Sequence, residues 1–297
     1  ANMKDITGDA LLVKGGNTAT VMAENSDIEI SGATGNAITL NKDTNGNSIV
    51  NIEGGSHNVT IENDIISDDS GNAVNFNSGT VNFNGTFDPA QAVVGGATVT
   101  RGGDDDGIDW TVTSGTLNYL QDSYLNRATN TMNLNGGTLN TINGVVTDFA
   151  LGSFTLSADS NFYADVDLAN QKMDNFLNTP TTYTGGTLHV AGLNLLTDAT
   201  AVNTSIPFAN STLAGHVDYT GAQGLTALSP IYKYNVGYDS SNGNFDFTRY
   251  NTGVYGDYNP SILAAPVAAQ LGGYLTQLNS YDEAFRNMDM YMLMTAS

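Results

Sequence analysis

Residues 101–109 read RGGDDDGID, which sets Asp104, Asp105, Asp106 and Asp109 beside Arg101. Two carboxylates held at a suitable separation can serve as acid and base, or as acid and nucleophile, on a glycosidic bond. Clustered carboxylates also suit Ca²⁺, so Asp104, Asp105 and Asp106 form a weak candidate site for that ion. A second acidic group gathers Asp64, Asp68 and Asp69. Such runs are usually solvated loops. The reading adopted is therefore non-enzymatic, with no catalytic residue and no cofactor beyond this Ca²⁺ option. A carbohydrate-active enzyme using Asp104 to Asp109 is the alternative.

Other chemistry is thinly represented. His57, His189 and His216 are far apart in sequence and lack metal-ligand spacing. There is no GxSxG elbow, no P-loop and no GxGxxG after a strand. Thirty acidic residues against nine basic ones give a formal charge of −21. That balance excludes a phosphate-neutralising nucleic-acid surface and gives little to hold an anionic sugar. Cysteine is absent, which removes disulfides and thiolate zinc sites and lets a chain pass unfolded through a narrow pore. The opening ANMKDITGDALLV lacks the apolar core and cleavage site of a signal peptide, as a mature or shortened chain would. No apolar run approaches the ~20 residues of a spanning helix.

The elements that must position any site are short strands. Charged residues make up only 13% of the 297 residues, and Asn, Thr, Ser and Gly supply the polarity. Apolar residues alternate with polar ones at Ile28/Ile30, Ile38/Leu40, Val50/Ile52, Val59/Ile61 and Val74/Phe76. The series continues through Val81/Phe83, Trp110/Val112, Leu117/Tyr119, Met132/Leu134 and Phe154/Leu156. This period of two marks strands with one buried face. VNFNSGTVNF, WTVTSGTLNY and MNLNGGTLNT repeat one pattern, in which a Gly-Thr corner joins two apolar–polar steps. Glycine at the corner accepts backbone angles barred to other residues. A single such unit cannot bury its own apolar face, but stacked units can. The fold expected is all-β: a right-handed parallel β-helix (solenoid) rather than a sandwich or barrel, with a C-terminal hairpin cap and an amphipathic α-helix.

The expected division places β-helix rungs over 1–178, C-terminal rungs and a hairpin cap over 179–250, and a linker with an amphipathic helix over 251–297. Residues 85–109 break the alternation and read as a loop or decorated rung. Two alternating strands flank DSSNGN near residue 240, a strong hairpin signal. Beyond it, Asn259-Pro260 opens a short turn, and the main helix starts at Pro266, since a second proline would break a helix begun earlier. Val267, Leu271, Tyr274, Leu278, Tyr281, Phe285, Met288 and Met292 then follow a heptad seam. Such a seam suits packing on the β-domain or self-association as an oligomerisation module.

The order of parts, with Asn/Thr/Gly-rich strands, then DVDLANQKMDNF, then YKYNVGYDSSNGNFDFTR, then NPSILAAPVAAQLGGYLTQLNSYDEAFRNMDMYM, resembles the C-terminal passenger region of bacterial autotransporters (type V secretion). The likeness is strongest over 164–292 and generic over 1–160. It implies a passenger that is exported to the cell surface or secreted, anchored through its own outer-membrane β-barrel. The chain carries no barrel strands after Met294, so it is expected to be soluble. The likeness also implies that the last rungs nucleate folding outside the cell. Ile231, Tyr232, Tyr234, Val236, Tyr238, Phe245 and Phe247 are the packing positions of that nucleus. An adhesive or structural role follows, toward a host or bacterial surface glycan or protein, or toward a second copy.

Overall fold

The computed structural model describes residues 2–32, 35–87, 91–94, 97–100, 107–121, 128–219, 226–228 and 231–249. Of these, 57% lie in strands and 2% in helix, so the fold is all-β, as the alternation requires. A 15-stranded sheet, nearly all parallel, curls into a half-barrel. A separate parallel sheet joins Leu11–Lys14, Ile38–Asn41 and Ile65–Ser67.

Register follows side-chain parity. On one part of the wall Val50 lies beside Val74, then Trp110, Met132 and Phe154. On the next part Val59 lies beside Val81, Leu117, Leu139, Phe162 and Val190. Every member of both columns is buried. A one-residue slip would turn a whole strand's apolar set outward, so burial fixes the register. Aromatic rings thread the interior: Phe87 stacks on Trp110 at 4.7 Å, and Phe149 stacks on Phe176 at 4.7 Å.

The Gly-Thr corners need glycine for a different reason in each repeat. Gly79 has φ +74° and sits against Gly54. Gly115 has no positive φ; a Cβ there would come within 2.9 Å of the Gly79 carbonyl. Gly137 would meet Val112 and lie 2.9 Å from the Gly115 carbonyl. Close stacking of one corner on the next, more than unusual dihedrals, is what excludes a side chain. Other turns are pegged by buried asparagines. Asn72 Oδ1 accepts from Ser48 N–H at 2.7 Å, and Asn130 Oδ1 accepts from Ile108 N–H at 3.1 Å. Asn130 Nδ2 also donates to the Phe87 carbonyl at 2.9 Å.

The pattern changes after residue 200. Asn203–Pro207, Asn244–Arg249, Lys233–Asp239 and Thr226–Leu228 form a four-stranded antiparallel sheet in that order. The hairpin announced by DSSNGN is thus present, with Gly243 at φ +74° in its turn. Backbone bonds tie it to the preceding chain: Phe176 N–H donates to the Phe208 carbonyl at 2.8 Å, and Phe208 N–H to the Gly243 carbonyl at 3.0 Å. Tyr234, Val236, Phe245 and Phe247 are buried, and Tyr232 and Tyr238 pack partly buried against them. Ile231 differs from the expectation, being 41% exposed. It has the opposite parity to Tyr232, Tyr234 and Val236, and so points outward.

The short helix Ser211–Ala214 is capped by Asn210, which accepts from the amides of Thr212 and Leu213. Within the break at 85–109, Gln91–Val94 and Ala97–Thr100 pair as an antiparallel hairpin, so part of that stretch is ordered as strand rather than loop. The heptad positions Val267, Leu271, Tyr274, Leu278, Tyr281, Phe285, Met288 and Met292 lie outside the described residues, as do Asn259, Pro260 and Pro266.

Candidate functional site

The acidic groups singled out in the sequence do not form one site among the described residues. Arg101, Asp104, Asp105 and Asp106 lie outside those residues. Asp109 starts the strand Asp109–Val112 and accepts from the Thr131 hydroxyl on the neighbouring strand. Burial raises its carboxyl above the usual range, partly offset by that bond. Asp64 accepts from the Thr86 amide at 2.9 Å and its hydroxyl at 2.6 Å. Asp68 accepts from Lys42 N–H at 2.7 Å. Asp69 pairs with Lys42 Nζ at 2.8 Å, and that bond holds its carboxyl below the ordinary value. Each thus ties one pass of the chain to another. No trio of His, Asp or Glu able to hold a metal ion occurs among the described residues.

A different pair of carboxylates is far more unusual. Asp165 and Asp174 are both 0% exposed. The strand Ser160–Asp167 turns back through Asn170 and Gln171, so that Val166 pairs antiparallel with Met173 and Asp167 with Lys172. Local chemistry builds this turn: Asp167 accepts from the Asn170 amide at 3.2 Å and its side chain at 2.6 Å, and Gln171 takes φ +54°. The Thr197 hydroxyl adds a 2.6 Å bond to Asp167. Despite the opposing cost of burial, these donors hold Asp167 below the ordinary carboxylate value.

The turn brings Asp174 against Asp165. Asp174 N–H donates to the Asp165 carbonyl at 3.0 Å, and Asp165 N–H donates to Asp174 Oδ2 at 2.8 Å. Asp165 Oδ2 accepts from the amides of Asn143 at 2.8 Å and Gly144 at 2.7 Å. Its Oδ1 accepts from Asn194 Nδ2 at 2.6 Å. Asp174 Oδ1 accepts from Thr147 N–H, and Oδ2 lies 2.6 Å from the Thr141 hydroxyl. Two side chains thus clasp the turn at 141–147, their own hairpin and the following strand Leu188–Leu195. Burial drives the Asp174 pKa up to about 7, the neighbouring Asp165 charge adds to the rise, and the three donors oppose it. Compared with known proteins, the chain matches no family model, no curated protein and no solved structure.

Outside this clasp the wall presents polar ladders. Asn118 Nδ2 donates to Asn82 Oδ1 at 2.8 Å, and Asn140 Nδ2 to Asn118 Oδ1 at 3.0 Å. Asn75 and Asn51 form a second step at 2.9 Å. A shallow cleft of about 380 Å³ borders the clasp, lined by Asp167, Asn170, Lys172, Val145 and Leu196 among others. The histidines are separate surface features. His57 pairs with Asp27 at 3.6 Å and His189 with Asp218 at 3.2 Å, while His216 stacks on Tyr183 at 3.5 Å. The sequence reading missed Asp165 and Asp174 as a pair. Their signal was the run DVDLANQKMD, where an Asp-X-X-Asn turn stands between the two acids.

Proposed function

We propose that the curled sheet is the wall of a right-handed parallel β-helix and that the chain is passenger material of an autotransporter. In this reading it reaches the cell surface or is secreted, held in the full-length protein by its own outer-membrane barrel. Its role is adhesive or structural rather than enzymatic. The observation that carries the reading is the pair of continuous side-chain columns from Val50 to Phe154 and from Val59 to Val190, followed by the antiparallel sheet at 203–249.

That architecture supports export coupled to folding. Each added pass buries apolar side chains at about 25 cal/mol per Å², which would bias a threading chain outward. The end sheet, with Tyr234, Val236, Phe245 and Phe247 inside, supports the role of nucleus. The ladders of half-exposed Asn and the cleft at Lys172 offer hydrogen-bonding groups to a surface glycan, a surface protein or a second copy. No helix among the described residues is long and apolar enough to cross a membrane.

The test is protease treatment of intact cells that produce the full gene product. Release or loss of this segment, with an internal marker untouched, supports the reading. A segment cut only after the cells are broken open refutes it.

A further inference from the structure

We propose that Asp165 and Asp174 form a proton-held clasp, in which Asp174 keeps its proton in the folded chain and its ionisation loosens the join at 141–147. The geometry carries this independently of the export reading. Both carboxyl groups are fully buried; the Asp174 carboxyl accepts from the Asp165 amide, and the Asp174 amide donates to the Asp165 backbone carbonyl. Asp165 acts only as an acceptor, with three donors aimed at it. Asp174 also meets three polar groups, the amides of Asp165 and Thr147 and the Thr141 hydroxyl, and the direction of the third is set by the proton count, although the Tyr163 carbonyl already accepts from the Thr141 amide at 3.0 Å. The Thr141 hydroxyl, which has one proton, lies 2.6 Å from Asp174 Oδ2 and 2.9 Å from the Tyr163 carbonyl. Both contacts become hydrogen bonds if Asp174 donates to Thr141 Oγ1 and Thr141 donates to Tyr163. A second buried negative charge beside Asp165 would instead be placed with no cation against it.

Among the described residues, the surrounding groups do not supply one. Asp165 and Asp167 stand on the hairpin of Asp174, and Lys172 lies at its turn with its backbone opposite Asp167. The facing turn contributes Asp148, bonded to Asn175 Nδ2, and Leu188–Leu195 contributes the uncharged Asn194. Asp165 is the neighbour whose charge acts on Asp174.

The sign follows from linkage. The folded chain holds this proton more tightly than the unfolded chain, whose carboxyl has the ordinary value of 3.8. The contribution to stability is therefore complete below about pH 4, declines from there to about pH 7, and is gone above.

The experiment is a pH titration of the full chain, labelled with ¹³C at aspartate carboxyls. Amide exchange at Thr147, corrected for intrinsic rates, is followed in parallel. The expected Asp174 midpoint is near 7, and the opening constant at Thr147 should rise by up to about tenfold per pH unit across the window. In Asp174→Asn, which keeps a neutral side chain of the same shape, that rise should vanish. In Asp165→Asn the Asp174 midpoint should move down. An Asp174 midpoint near 4 in the unaltered chain overturns the proposal. So does a Thr147 slope that survives in Asp174→Asn. The titration of the unaltered chain decides the matter even if either variant fails to fold.

Discussion

The wall from Ile49 to Asn140 and the join from Thr141 to Leu195 share one backbone ladder but use opposite side-chain chemistry. On the strands of the wall, Asn82, Asn118 and Asn140 bond to their own kind, in a row in which each link resembles the next. In the join, Asp165 and Asp174 are turned inward and bond to backbone amides of the turn at 143–147 and of their own hairpin, and to the Asn194 side chain. The row is redundant and water can replace any link. The clasp is singular and has no substitute, because unpaired polar groups there would be buried in a medium of low dielectric. A stacked fold can thus be tolerant along its length and unforgiving at one joint.

Breaking the clasp should have the largest effect. Asp165→Ala removes an acceptor for Asn143, Gly144 and Asn194 together, and should lower unfolding stability by about 3 kcal/mol in a urea titration. Breaking the row should matter less. Asn118→Ala leaves Asn82 and Asn140 able to bond to water, and should cost about 1 kcal/mol by the same measurement. Equal losses from the two variants would erase the distinction between wall and join.

The smallest effect should run the other way. Thr147 is buried, and its Oγ1 has no hydrogen-bond partner among the described residues although its amide serves Asp174. Thr147→Val removes the orphaned hydroxyl at nearly constant volume, and should raise the urea midpoint by the equivalent of up to about 1 kcal/mol. A loss instead would mean that the hydroxyl has a bonding role in solution.

The same contrast governs what could be read from sequence. Alternation is a local signal, so the pairs from Ile28/Ile30 to Phe154/Leu156 are all buried and the hairpin around DSSNGN is present, whereas the buried Ile65, Phe87, Ile108, Leu139, Phe149 and Leu151 fall outside those pairs. Parity alone would have excluded Ile231 from the packed set, had it been counted from Tyr234. The clasp was hidden because its partners are remote: Asn143 lies 22 residues from Asp165, and Asn194 lies 29 residues away. Only the register of successive passes brings them together, and no local pattern encodes that register. The contiguous aspartates at 104–106 drew attention for the opposite reason, since proximity in sequence is visible without a fold. The glycine corners were found, but their cause at Gly115 and Gly137 is contact with the neighbouring pass, which again depends on stacking.

The most direct measurement is native-state hydrogen exchange along the whole chain under increasing denaturant. If the join and the end sheet hold the stack together, amides of Ser160–Asp167, Leu188–Leu195 and Asn244–Arg249 should be the last to open, and those of Ile49–Glu62 should open earlier. Opening of the join while Ile49–Glu62 remains protected would contradict both the clasp as the critical joint and the C-terminal end as the folding nucleus.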